Sequence, residues 1–138
     1  MCFSQSDACH LPYEDNFFDQ VVISFATRNV GASKNGLIPY FKEFLRILKP
    51  GGTFINLETS QPKNLLIKKL FHFYAGTLLP VLGYLLSGEK SPYRFLSSTM
   101  ISFLDSEQLK SKLLKAGFNQ VEVKSLTCGI CALHIAKK

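Results

Sequence analysis

Tryptophan is absent from the 138 residues, and cysteine is scarce at four: Cys2, Cys9, Cys128 and Cys131. A structural zinc site needs two properly spaced ligand pairs. Cys128-Gly129-Ile130-Cys131 supplies one, but Cys9-His10 is adjacent rather than spaced, so no metal is expected. A redox C-x-x-C needs its thiolate at a helix N-terminus, and the flanks here read as strand. Met1-Cys2-Phe3-Ser4-Gln5 has neither a basic n-region nor an apolar h-region, so export is not expected. The thiols should then be reduced, buried and inert in a cytoplasmic chain. Acidic residues are outnumbered, 10 against 16 basic, for a net charge of +6. The basic residues form no block, which excludes a nucleic-acid arm and leaves weak attraction to anionic membranes. Internal repeats and low-complexity linkers are lacking too. Residues 1–138 therefore read as one domain.

What is present points to a real core: 46% of residues are apolar, with twelve Phe and five Tyr. Asp19–Phe25 is a β-branched run that predicts a strand buried on both faces. Leu37, Tyr40, Phe41, Phe44, Leu45 and Leu48 follow helical spacing, with Pro39 tolerated in the first turn. Lys49-Pro50-Gly51-Gly52 should stop that helix, and Thr53–Glu58 predicts a second strand. Strand, helix and strand make a right-handed βαβ unit with parallel strands. Asp105 and Gln108 predict a capping box at the head of a helix over Ser106–Ala116, with Leu109, Leu113, Leu114 and Ala116 as its buried stripe. Val121–Ser125 and Ile130–Ala136, joined through Thr127-Cys128-Gly129, predict a final antiparallel pair. The fold class is α/β with a mixed sheet.

Leu70–Ser87 carries no charged residue and approaches membrane-span length. His72, Gly76, Pro80 and Gly83 argue against a span, and Pro80 should break a helix near its centre. Core helices and a lid over an apolar substrate or membrane surface both remain open. Lys63, Lys68 and Lys69 ahead of it suit anionic headgroups.

Several stretches are characteristic in combination. Asp7-Ala8, Leu11-Pro12-Tyr13 and Asp15-Asn16 lead into the first strand, Ile23-Ser24-Phe25-Ala26-Thr27-Arg28-Asn29-Val30 leaves it, and Leu48-Lys49-Pro50-Gly51-Gly52 comes next. With Leu57-Glu58-Thr59-Ser60-Gln61-Pro62, Tyr93-Arg94-Phe95-Leu96 and Gly129-Ile130-Cys131-Ala132-Leu133-His134, the chain resembles the ubiquinone/menaquinone biosynthesis C-methyltransferases, the UbiE family of class I methyltransferases. The Lys-Pro-Gly-Gly turn marks only the class. The Ser-Phe-x-x-Arg-Asn-Val loop and the Tyr-Arg-Phe-Leu stretch are more specific. Members are longer at the N-terminus, where a Gly-rich turn succeeds a strand, and no G-x-G-x-G occurs here. The resemblance therefore implies a partial Rossmann-like class I methyltransferase fold with its first strands missing and the edge of Asp19–Phe25 open, a surface for homodimer pairing. Within it, residues 62–102 would be a helical lid or substrate-binding insertion.

The same resemblance implies S-adenosyl-L-methionine as methyl donor, in a pocket incomplete in this chain, and a polyprenylated quinol as acceptor. The enzyme would work in the cytoplasm, in peripheral contact with the inner face of the membrane. Asp7 and Ala8 would contact adenine, and Ser24 would be a further cofactor contact. The acceptor carbon is nucleophilic once a ring hydroxyl ionises. Arg28 suits the resulting oxyanion, Asn29 a water, and His72 and Tyr93 are general-base candidates. Glu58 could line the same cleft or support it, and His134 reads as structural. Two other functions remain open: a non-catalytic interaction module, and a class I methyltransferase with another small acceptor.

Overall fold

The computed structural model describes residues 5–30 and 36–138. The elements in chain order are β1 (Phe18–Ser24), α1 (Thr27–Val30), α2 (Ile38–Ile47), β2 (Leu48–Thr59), α3 (Leu65–Phe73), α4 (Leu79–Ser87), α5 (Ser91–Ser102), α6 (Ser106–Ala116), β3 (Gln120–Leu126) and β4 (Cys131–Lys137). A π-turn, Tyr74–Leu78, joins α3 to α4. The sheet order is β1-β2-β4-β3, with β1 and β2 parallel and the other two pairings antiparallel. The parallel pair and the terminal antiparallel pair both stand as expected.

Phe54 on β2 is the centre of the core. The rings of Phe44, Phe41 and Phe118 lie 5.4, 5.9 and 5.7 Å from it. Leu109 and Leu113 of α6 complete the layer. The capping box of α6 forms, with Gln108 N–H donating to Asp105 Oδ1 at 2.8 Å and Asp105 N–H to Gln108 Oε1 at 3.1 Å. Leu114, expected in the buried stripe, is 44% exposed, since it follows Leu113 by about 100° around the helix and so leaves the face of Leu109, Leu113 and Ala116.

Three expectations about the sheet are corrected. β2 begins at Leu48, not Thr53, and α2 ends at Ile47. Phe18 pairs with Leu48 and Gln20 with Thr53, so Lys49-Pro50-Gly51-Gly52 bulges inside the strand rather than preceding it. Gly51 sits at φ +77, and a Cβ on Gly52 would lie 2.8 Å from the Lys49 carbonyl oxygen. β1 is buried on one face only: Val21 and Ile23 turn to the core while Val22 is 60% exposed. Its outer edge is unpaired among the described residues, and Ile55, Leu57, Leu133 and Ile135 on the same open face are only half-buried. The thiols are not all buried either. Cys128 is exposed in the left-handed turn between β3 and β4, Cys9 and Cys131 are half-buried, and Cys2 lies outside the described residues.

Pro80 does not break the helix. Leu65–Ser87 runs as one helical rod of 23 residues, long and apolar enough by length and composition to cross a membrane. The π-turn ends two residues before Pro80, and Leu79 N–H reaches back to Tyr74 O across five residues, so the widened turn receives the proline. It also adds one residue to the rod, setting back everything after it by about 100°. Without it, Gly83 would turn away from Phe71 and Ala75; with it, these three buried residues share one seam. The core-helix reading of this segment fails, since Leu70, Phe73, Leu78, Val81, Leu82 and Leu85 are all exposed.

Candidate functional site

β1 and β2 end side by side, and polar side chains gather at their carboxyl ends. α1 begins three residues past Ser24 and places Thr27 against Asn56 of β2, hydroxyl to amide oxygen at 2.5 Å, both buried. The next residue, Arg28, is thereby set over the end of β2. Its Nη1 donates to Glu58 Oε1 at 2.6 Å and its backbone N–H to Glu58 Oε2 at 3.1 Å. Thr59 gives the same carboxylate a backbone N–H at 2.7 Å and a hydroxyl at 3.1 Å. Glu58 is fully buried, and the Arg28 side chain is 9% exposed.

A buried carboxylate with four donors around it satisfies its charge. Arg28 is less fully served, for its Nε is buried without a partner among the described residues. Phe25, at φ +52, bends the chain out of β1 and sets its ring 5.9 Å from the Arg28 guanidinium carbon. Left-handed backbone at a bulky residue is strained and persists only where its surroundings hold it. Here Phe25 N–H donates to Leu57 O at 2.8 Å.

Arg28 lines a cavity of about 290 Å³ with Leu37, Thr99, Ser102, Phe103 and Lys112. Behind it a polar seam runs into the core. His134, opposite Asn56 in the β2–β4 register, makes an Nε2 hydrogen bond of 2.9 Å with Ser106 O, while His134 Nδ1 and Asn56 Nδ2 lack partners among the described residues. Burial holds the His134 pKa below its ordinary value. Cys131, beyond the seam, has its thiol pushed up by burial and then by the Glu58 carboxylate.

The other expected site residues fall in three places. Ser24 and Asn29 are exposed at the same strand end as Arg28. Asp7 and Ala8 lie in the turn before β1, where Asp7 Oδ1 accepts Cys9 N–H at 2.9 Å and the Asp7 side chain is 68% exposed. His72 and Tyr93 do not line the Arg28 cavity. His72 Nε2 meets Gln61 Oε1 at 2.7 Å, and Gln61 Nε2 in turn donates to Met100 O and Ile101 O. Tyr93 lies flat on Gly83, where a Cβ would come within 2.2 Å of its ring. Both side chains bind helices together. Sequence reasoning missed Thr27, Asn56 and Lys112. The first two are 29 residues apart, and only the β1–β2 register joins them.

The family profile described as the ubiE/COQ5 methyltransferase family matches residues 1–138. The demethylmenaquinone methyltransferase of Staphylococcus haemolyticus is 39% identical over 132 residues, covering 96% of this chain and 54% of that protein. The ubiquinone/menaquinone biosynthesis C-methyltransferase UbiE of Pseudomonas fluorescens is also 39% identical, over 96% of this chain and 50% of its own length. The chain spans about half the length of the curated relatives it matches. Among solved structures, a SAM-dependent methyltransferase from Aquifex aeolicus superposes with a TM-score of 0.58 at 14% identity, covering 97% of this chain and 53% of that one. Human N-acetylserotonin methyltransferase in complex with SAM gives 0.63 at 16%, covering 99% and 33%. These structures share the fold.

Proposed function

Because the chain belongs to the ubiE/COQ5 methyltransferase family, we propose that it supplies the acceptor side of an S-adenosylmethionine-dependent C-methyltransferase. The acceptor is a polyprenylated quinol precursor of respiratory quinones, either demethylmenaquinol or the benzoquinol of the ubiquinol pathway. The observation that carries this reading is the Arg28 guanidinium, nine-tenths buried beyond the end of β1, fixed by Glu58 of β2 and opening on a cavity. A ring hydroxyl that loses its proton to water leaves charge on oxygen and on the ring carbon ortho to it, and a planar fixed cation favours that state. Asn29, exposed one residue further on, orients the water that takes the proton.

The polar groups fit one side of the cofactor. Asp7 Oδ2, 4.0 Å from His10 Nδ1, accepts no hydrogen bond among the described residues and is open to an exocyclic amine, Ala8 offers a backbone N–H, and the Ser24 hydroxyl is exposed and unpartnered among the described residues. S-adenosylmethionine, when bound, supplies a methyl group on a sulfonium sulfur. Residues 62–102 act as the lid over the acceptor, with His72 and Tyr93 holding its helices together. The exposed leucines of the 65–87 rod support contact with a prenyl tail or a membrane surface, where Lys63, Lys68 and Lys69 would meet anionic headgroups. The open β1 edge supports pairing with a second copy.

The test is methyl transfer to demethylmenaquinol, measured with this chain alone and with this chain fused behind the remaining N-terminal part of the S. haemolyticus relative. Transfer by the fusion and not by the chain alone is expected, as is cofactor affinity weaker than micromolar for the chain alone. A fusion that folds and binds cofactor but transfers nothing to either quinol sinks the proposal. That outcome would favour a non-catalytic binding module.

A further inference from the structure

The cavity beside Arg28 contains a second cation that the proposed reaction has not used. Lys112, on α6, lines the same space, and its ammonium makes no hydrogen bond or ion pair among the described residues. Arg28 comes to the cavity with its charge already matched by Glu58 at 2.6 Å, so Lys112 is the uncompensated charge. No carboxylate lines the cavity among the described residues. The neighbouring hydroxyls are committed elsewhere: Thr99 Oγ1 donates to Leu96 O at 2.9 Å and Ser102 Oγ to Ser98 O at 2.7 Å. The side-chain protons left for a ligand are therefore those of Arg28 and Lys112. The remaining walls, Leu37, Phe103 and Leu104, are apolar and suit the faces of a flat ring, and about 290 Å³ admits one ring or two fused ones.

We propose that Lys112 pairs with Arg28 to bind an aromatic ring bearing an ionised hydroxyl, and that Lys112 lowers the pH at which the bound hydroxyl gives its proton to solvent. This rests on the reading of the cavity as the acceptor site. Arg28, its net charge offset by Glu58, favours the oxyanion through its planar N–H donors rather than through uncompensated charge. An added free ammonium in a partly desolvated space favours the oxyanion, because an opposite charge within a few ångströms stabilises the ionised form. The step moves one proton from ring oxygen to water and needs no other reactant.

The experiment uses the 138-residue chain and 4-nitro-1-naphthol, whose phenolate absorbs in the visible, with backbone amide shifts to locate the probe. Bound probe should perturb Arg28, Thr99, Phe103 and Lys112, and should ionise at a pH at least half a unit below that of free probe, roughly a threefold gain for the phenolate. Lys112→Gln, on a half-buried helix position that folds without strain, should abolish most of that shift and weaken phenolate binding about threefold or more. Lys115→Gln, exposed on the same helix, should change neither. Probe that occupies the cavity but titrates as it does in solution, or that titrates alike in wild type and Lys112→Gln, overturns the role of Lys112 while the acceptor site stands. Probe that perturbs only Ile67, Phe71 and Tyr74 overturns both.

Discussion

Arg28 and Glu58 form the one pair on which the local chemistry turns. Removing the carboxylate's charge leaves a guanidinium buried and unmatched, an imbalance that costs about 3–5 kcal/mol. Glu58→Gln should accordingly lower the urea midpoint sharply, where Glu89→Gln, exposed beyond α4, should not. Arg28→Lys keeps the charge but loses the planar fork. In the fused enzyme it should cut turnover at least tenfold with cofactor affinity nearly intact, and unchanged turnover would remove Arg28 from the chemistry. His134 makes a prediction about acid. Its folded pKa lies below the usual 6.5, so the unfolded chain takes up the proton first as pH falls. The stability that a neutral His134 provides is complete above about 6.5 and drains away below it, at no more than about 1.4 kcal/mol per pH unit. Urea unfolding at pH 7.5 and 5.5 measures this, and His134→Gln should flatten the difference. The oxyanion candidate was legible at this scale, because Ser-Phe-x-x-Arg-Asn-Val is distinctive. Its partner was half legible, since a strand-end glutamate can face either way. Thr27, Asn56 and Lys112 were not legible, for their meaning depends on neighbours brought in by the sheet register and by helix packing.

Among the elements, period and capping signals read true and breaker signals misled. The α6 capping box and the α2 stripe come from spacing alone. Pro80 and Lys49-Pro50-Gly51-Gly52 carry the same local signals as true terminators, yet a π-turn absorbs one and a strand bulge the other. What the rod buries, through Phe71, Ala75 and Gly83, is a narrow seam, so its two faces should respond differently to mutation. Gly83→Ala presses a methyl group into the Tyr93 ring and should cost about 1–3 kcal/mol. Replacing Leu78, Leu82 and Leu85 together with Ser should leave the melting temperature within a few degrees, since they are 41%, 49% and 72% exposed. In the fused enzyme the same change should raise KM for a long-tailed acceptor and spare a short-tailed one. Unfolding of the triple variant would show these leucines to be core.

At the scale of the whole molecule, residues distant in sequence hold it shut. Lys138 Nζ donates to Leu45 O and Leu48 O, both at 2.7 Å, and to Asn16 Oδ1 at 2.9 Å, clasping the end of α2. β4, which leads to it, runs down the middle of the sheet between β2 and β3. A ribosome therefore makes β4 after both of the strands it must lie between. Until β4 leaves the exit tunnel, Phe54 and its ring of phenylalanines have a floor but no completed wall, and β2 offers a bare edge on the side β4 will fill. Folding during synthesis can join α2, β1 and β2 before that point but cannot close the sheet. The nascent chain should depend on holdase chaperones until β4 emerges, and a stop codon placed just before Cys131 should yield an aggregating product rather than a smaller folded one.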